Sequence, residues 1–179
     1  DSVGLKVLAI NLSDLAAMGA KPHAYTLSAA FSERITSSWI KNFASGLRDL
    51  QTSHQLHLVG GDTVLTPGPM SITVTAFGLV KTGKSIRRNT AKIGDKIYVT
   101  GNIGDAALGL LLAKKELGNS LSTNCRASLI RRYQKPTPRT EVGNLLCHTA
   151  TSAIDISDGL AADIEHIAIQ SHCRIIIDA

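Results

Sequence analysis

The chain has 179 residues, 44% of them hydrophobic and 18% charged, with a formal net charge of +5. That length gives one large domain or two small ones a real core, and the composition excludes a disordered chain. Lys and Arg never run longer than two in a row and aromatics are only 4%, which argues against a nucleic-acid partner and leaves an anionic small ligand as the reading of the basic balance.

In chain order, residues 3–18 place apolar side chains at helical spacing, with Gly19 as a stop. Residues 24–30 read as a short strand. Residues 35–50 read as an amphipathic helix, with Thr36, Ser37 and Ser38 as candidate caps. Residues 56–59 read as a short buried strand ended by Gly60-Gly61-Asp62. Pro67-Gly68-Pro69 marks a turn, and the Ile, Val and Thr of residues 70–80 predict a long strand. A charged connector, residues 81–95, separates the two halves, so the predicted division is 1–84 and 85–179. In the second half, strands are predicted at 96–100, 153–156 and 174–178, and helices at 106–117, 126–133, 139–148 and 159–170. Alternating strands and helices in both halves predict a two-layer α/β architecture.

No stretch reaches the ~18 apolar residues that span a bilayer, and no signal-peptide pattern opens the chain. A cytoplasmic protein without a membrane partner is expected. Cys125, Cys147 and Cys173 are odd in number and widely spaced. They are expected to be buried reduced thiols, not disulfide partners or zinc ligands. The six histidines show no HxH or HExxH spacing and read as structural or surface residues. The chain starts at Asp1 inside a helix lead-in, as a trimmed chain or fragment does.

There is no GxxxxGK[ST] loop and no GxGxxG fingerprint after a strand. The residues able to do chemistry are aspartates at element ends. Asp14 lies among apolar residues in a helix, where a carboxylate is costly to bury unless paired or bound to metal; a solvated helix stripe is the competing reading. Asp62 follows Gly60-Gly61, where backbone approaches a ligand closely; a plain turn competes. Asp155, Ser157 and Asp158 end an apolar strand and open a helix. One of them would suffice as an N-cap, and two carboxylates suggest a cation. Hard oxygen donors suit magnesium, which binds through a few carboxylates, waters and substrate phosphates. Phosphoryl transfer also needs a cationic residue, and Arg87 and Arg88 in the connector can supply one; a solvated pair competes. Gly101-Asn102-Ile103-Gly104-Asp105 precedes a helix as phosphate loops do, a weak signal.

These segments, taken in order, resemble the thiamine-monophosphate kinase family. The resemblance rests on residues 11–20, on Gly60-Gly61-Asp62-Thr63 with residues 71–76, and on Arg88 with residues 91–95 and 97–101. Arg132-Tyr133 with Pro136-Thr137-Pro138-Arg139 adds to it, and Asp155-Ile156-Ser157-Asp158-Gly159-Leu160 is its most discriminating piece. It implies the two-domain fold shared with aminoimidazole-ribonucleotide synthetase, selenide water dikinase and a hydrogenase maturation factor. That fold is usually a dimer whose central barrel takes strands from both subunits. It implies transfer of the ATP γ-phosphoryl group to thiamine monophosphate, giving thiamine diphosphate and ADP, with several magnesium ions on the phosphates. By carry-over, Asp14, Asp62, Asp155 and Asp158 are metal ligands. Gly61, Asp62, Arg88 and Ser157 contact ATP, and Asp62, Arg88 and Asp158 are the residues expected to act in transfer. The family's early Gly-Asp-Asp segment and its C-terminal part have no counterpart in the chain, and the loop from Thr63 to Ser71 is longer than the family's. The competing functions are another ATP-using enzyme of the superfamily, a non-catalytic nucleotide-binding module, and an α/β domain whose aspartates only cap helices.

Overall fold

A computed structural model describes residues 1–118 and 121–177. Helix α1 (Ser2–Ala17) starts where the Asp1 carboxylate accepts the Ser2 N–H at 2.7 Å, satisfying one of the donors that a helix start leaves open. Leu8, Ala9, Leu12, Leu15 and Ala16 are all buried on one stripe of the helix, while the apolar Val3 and Ile10 lie off it and are exposed. Strand β1 (Lys21–Ser32) follows, then helix α2 (Ser37–His54). The expected cap is present: the Thr36 hydroxyl accepts the Trp39 N–H at 3.1 Å. Strands β2 (His57–Thr66) and β3 (Ser71–Leu79) complete a sheet of order β2-β1-β3.

Strands β1 and β2 are parallel and joined through α2, the connection that a parallel pair requires. Strand β3 runs antiparallel to β1 on its other side. The Pro67-Gly68-Pro69 turn therefore swings past the end of β1, where Ser32 pairs with Thr66 and Ala30 with Ser71. Along β3, Ile72, Val74 and Ala76 pack on the core while their neighbours face outward, the period of two that pleating imposes. Leu8, Leu12 and Tyr25 have no exposed surface and, with Phe43, Leu47 and Leu50, form the core between the sheet and the two helices. Trp39 stacks on Phe43 with ring centroids 5.3 Å apart. Helices α1 and α2 meet at glycines: a Cβ on Gly46 would stand 1.9 Å from the Asp1 carbonyl oxygen, and one on Gly4 2.0 Å from that of Phe43.

The short buried strand expected at 56–59 is instead the longer β2. It runs through Gly60, Gly61 and Asp62, and it is exposed along nearly all its length. Only Leu56, just before it, is buried. An apolar run announces a strand without saying what will cover it.

The second half holds helices α3 (Asp105–Ala113), α4 (Thr123–Gln134), α5 (Thr140–Leu146) and α6 (Leu160–Gln170). Helix α3 ends four residues before the expected Leu117, because Lys115 turns into the left-handed region at φ +62°. The predicted strands at 96–100 and 153–156 are not strands, nor is 174–177; Asp178 lies outside the described residues. A strand exists by hydrogen bonding to a neighbour, and β-propensity alone does not supply one. Two of these segments instead contribute Lys96, Ile97, Val99, Ile176 and Ile177 to the lining of one open groove. The α/β alternation thus holds in the first 80 residues, and the sheet packs its helices on one face as two layers. Cys125 is exposed and Cys147 and Cys173 are half-buried, so the expectation of buried thiols fails, although all three are free.

Helix α1 also ties the halves together. Gly143 of α5 lies against it, where a Cβ would stand 2.3 Å from the Ala16 oxygen. The Cys147 thiol donates to the Gly19 oxygen at 2.9 Å. The Lys6 Nζ sits 3.5 Å above the Tyr133 ring of α4, and Lys135 reaches the Asp1 carboxylate at 2.7 Å.

Candidate active site

Asp14 stands on the last turn of α1, outside the core stripe. Just past that helix, the Met18 carbonyl accepts the N–H of Ile86 at 3.1 Å, and Ile86 is itself buried. This anchor docks the connector on the end of α1 and delivers Arg88, two residues on, to the neighbourhood of Asp14. The Ser152 hydroxyl donates to the Arg87 oxygen at 2.8 Å, which brings the 152–155 segment alongside. Asp14, Arg88 and Asp155 therefore converge from three separated stretches of chain.

The electrostatics register that convergence. The Asp14 carboxyl is held above the ordinary aspartate value, first by partial burial, then by the negative charge of Asp155; Arg88 works in the opposite direction. Two carboxylates that repel each other, with one arginine beside them, form a place where added positive charge is stabilised. The donor chemistry fits magnesium, which takes a few carboxylates and completes its shell with waters and phosphates. Among the described residues no group of three or more His, Cys, Asp or Glu side chains surrounds one point, so these residues do not build an all-protein cage.

The loop before α6 is organised by a residue that the sequence reading missed. Asp163 is 3% exposed. Its Oδ2 accepts the N–H groups of Ser157, Asp158 and Gly159 at 2.8, 3.1 and 3.1 Å, and the Ser157 hydroxyl lies 3.4 Å from Oδ1. The capping is thus done from inside the helix: Gly159 is the cap residue and makes no side-chain cap bond. Asp155, Ser157 and Asp158 are not the caps of α6, and Ser157 and Asp158 face solvent. The available signal was a carboxylate in the first turns of a helix, four residues past a glycine, a variant of the reciprocal capping box.

Asp62 and Gly61 lie within β2. Asp62 pairs in register with Ser28, is exposed, and accepts the N–H of its neighbour Thr63 at 2.8 Å. Gly61 has φ +147°, and a Cβ there would meet the Leu27 oxygen at 1.9 Å. The sheet itself therefore requires this glycine, whatever approaches from outside. In the Gly101–Asp105 loop, Gly104 begins α3 without a side-chain cap, and Asp105 lies 4.0 Å from the Arg132 Nε.

A family model for AIR synthase related protein, N-terminal domain, matches residues 1–80. The chain is 43% identical over 173 residues to the thiamine-monophosphate kinase of Buchnera aphidicola from Acyrthosiphon pisum, covering 97% of itself and 52% of that protein. It superposes on the crystal structure of thiamine-monophosphate kinase from Stenotrophomonas maltophilia K279a with a TM-score of 0.87 at 42% identity, over 96% of the chain and 54% of that structure. It superposes on AaThiL complexed with AMPPCP and TMP with a TM-score of 0.88 at 30% identity, over 96% of the chain and 54% of that structure. The chain spans about half the length of the curated relatives that it matches. By sequence and by fold the chain is similar to the thiamine-monophosphate kinases along nearly all of its own length.

Proposed function

We propose that the chain forms the nucleotide- and magnesium-binding part of an enzyme that transfers the γ-phosphoryl group of ATP to thiamine monophosphate. The observation that carries this reading is the convergence of Asp14, Asp155 and Arg88 from three separated segments. Capping a helix would need none of them, and α6 is capped by Asp163 instead. The ligands carried by AaThiL, AMPPCP and TMP, support a nucleotide and a phosphate acceptor as the pair of substrates.

In this reading Asp14, Asp62, Asp155 and Asp158 hold magnesium, which offsets charge on the phosphates when bound. Arg88 places a fixed positive charge beside the transferring group, and Gly61, Asp62 and Ser157 orient ATP. Most of the work is positioning and charge, since phosphoryl transfer asks for little covalent help. The division at residues 84 and 85 belongs to the same reading, supported by the family match that ends at residue 80. So does a homodimer built on the sheet. Its support is the exposed apolar side chains of β2, with Val59 at 62% and Leu65 at 76% exposure, on an edge strand that a lone subunit leaves open. A cytoplasmic setting also belongs here; among the described residues no helix is long and apolar enough to cross a membrane.

The test is formation of thiamine diphosphate from thiamine monophosphate, ATP and magnesium by the natural polypeptide carrying this chain. Product that disappears with chelator, and turnover cut about 100-fold or more in Asp155→Asn as for a lost transition-state charge partner, is the expected result. ATP binding without product would redirect the reading to a sister substrate of the superfamily.

A further inference from the structure

Two side chains of α6 grip different parts of the candidate site. At its start, Asp163 gathers the N–H groups of residues 157–159. At its end, the Ser171 hydroxyl donates to the Arg88 oxygen at 2.7 Å and accepts the Ala91 N–H at 3.1 Å. Helix α6 is continuous between them, from Leu160 to Gln170, and a helix is stiff over three turns. The segment bearing Arg88 and the loop bearing Ser157 and Asp158 are thus fastened to one rigid body, although about 70 residues separate them in the chain.

We propose that Ser171 and Asp163 are positioning residues, through which α6 fixes the spacing between the Arg88 guanidinium and the Asp155–Asp158 loop. Neither touches the reacting groups. Each acts through the backbone that carries one. Arg88 is exposed, and no side-chain hydrogen bond of its own is found among the described residues. Its backbone anchors, from Ser171 and from Ile86 through Met18, therefore set the point from which the guanidinium reaches the site. Displacement by about 1 Å of a group that stabilises transferring charge costs up to ~100-fold in rate. The proposal rests on the phosphoryl-transfer reading above for the identity of the ligand.

The experiment is a double-mutant cycle in the natural polypeptide, with kcat and the KM values for ATP and thiamine monophosphate measured for wild type, Ser171→Ala, Arg88→Ala and the double variant. Ser171→Ala is expected to lower kcat roughly ten-fold, with KM for thiamine monophosphate unchanged, and Ser171→Thr to restore it. In the Arg88→Ala background the same change is expected to do nothing further, because the group it positions is gone. An equal loss in both backgrounds, or no loss in either, overturns the proposal. For the other end of the helix, Asp163→Ala, which leaves the three N–H groups without their acceptor, is expected to lower kcat as Ser171→Ala does, and Asp163→Asn, which keeps an acceptor, to keep most activity. If Asp163→Ala does not fold, the Ser171 cycle decides the matter. A wild type that binds ATP and magnesium but makes no thiamine diphosphate sinks the kinase reading alone, and the cycle is then read on ATP affinity. A wild type that does neither overturns both.

Discussion

The Tyr25 side chain is completely buried, and its hydroxyl has no partner among the described residues. Burial pushes its pKa up, which keeps it neutral but does not supply the missing hydrogen bond. An unpaired buried hydroxyl costs ~1–3 kcal/mol. Tyr25→Phe is therefore expected to raise unfolding free energy by about 1 kcal/mol in urea titration; a loss of similar size would reveal a bound water serving the hydroxyl. Asp95 shows the opposite balance. The Thr151 hydroxyl and then the Lys92 N–H hold its carboxyl below the ordinary aspartate value. A depressed native pKa adds stability that is present above the ordinary value and disappears as pH falls through the native one. The stability gap between wild type and Asp95→Asn should thus be widest at neutral pH and close on acidification. A gap that stays constant with pH would show that the charge of Asp95 is not what matters. At this scale the sequence singled out Asp14 by its apolar neighbours but left open a solvated helix stripe, and the folded helix does place Asp14 on an exposed face. Asp163 escaped because an acidic residue near a helix start is ordinary, and only the folded loop turns its carboxylate back onto three N–H groups.

Among the elements, the contact between α1 and α2 is the most exacting. Gly4 and Gly46 let two backbones approach until each would collide with a methyl on the other. Unlike a loop glycine, Gly46 sits in a regular helix, so Ala would favour the helix itself by ~1 kcal/mol. Packing decides the sign. The atom in the way is the Asp1 carbonyl oxygen at 1.9 Å, part of the backbone that opens α1, and overpacking of this kind costs ~1–3 kcal/mol. Gly46→Ala is expected to lower the stability measured in guanidinium despite its better helix propensity; a gain would mean that α1 slides freely over α2. The same distinction explains which elements were legible. Helices α1, α2, α4 and α6 carry their periodicity and their ends locally, and β3 carries its alternation. The segments at 96–100 and 153–156 carry strand composition but lack the paired neighbour that makes a strand. No local pattern states whether a partner will be present.

For the molecule as a whole, the site depends on the docking of two halves, and α1 packs against elements of both. Lys135 with Asp1, the Cys147 thiol with Gly19 and Ile86 with Met18 all act at the ends of this helix, far from its buried middle. A ligand that spans Asp14, Arg88 and Asp155 would add a further tie. It would also relieve the repulsion from Asp155 that, after burial, helps to raise the Asp14 carboxyl. Binding to the native state alone stabilises by RT ln(1 + [L]/Kd), about 2.7 kcal/mol at a hundred times the dissociation constant. ATP with magnesium is therefore expected to raise the melting temperature together, and each alone much less, because the metal and the phosphates complete each other's coordination. Asp14→Asn should reduce the joint shift, while raising the stability of the ligand-free protein by removing one of two like charges. If calorimetry finds no joint shift in the wild type, the three residues meet for packing reasons and the aspartates serve no nucleotide. If it finds the shift and Asp14→Asn leaves it whole, the nucleotide site is real but lies on β2, around Asp62.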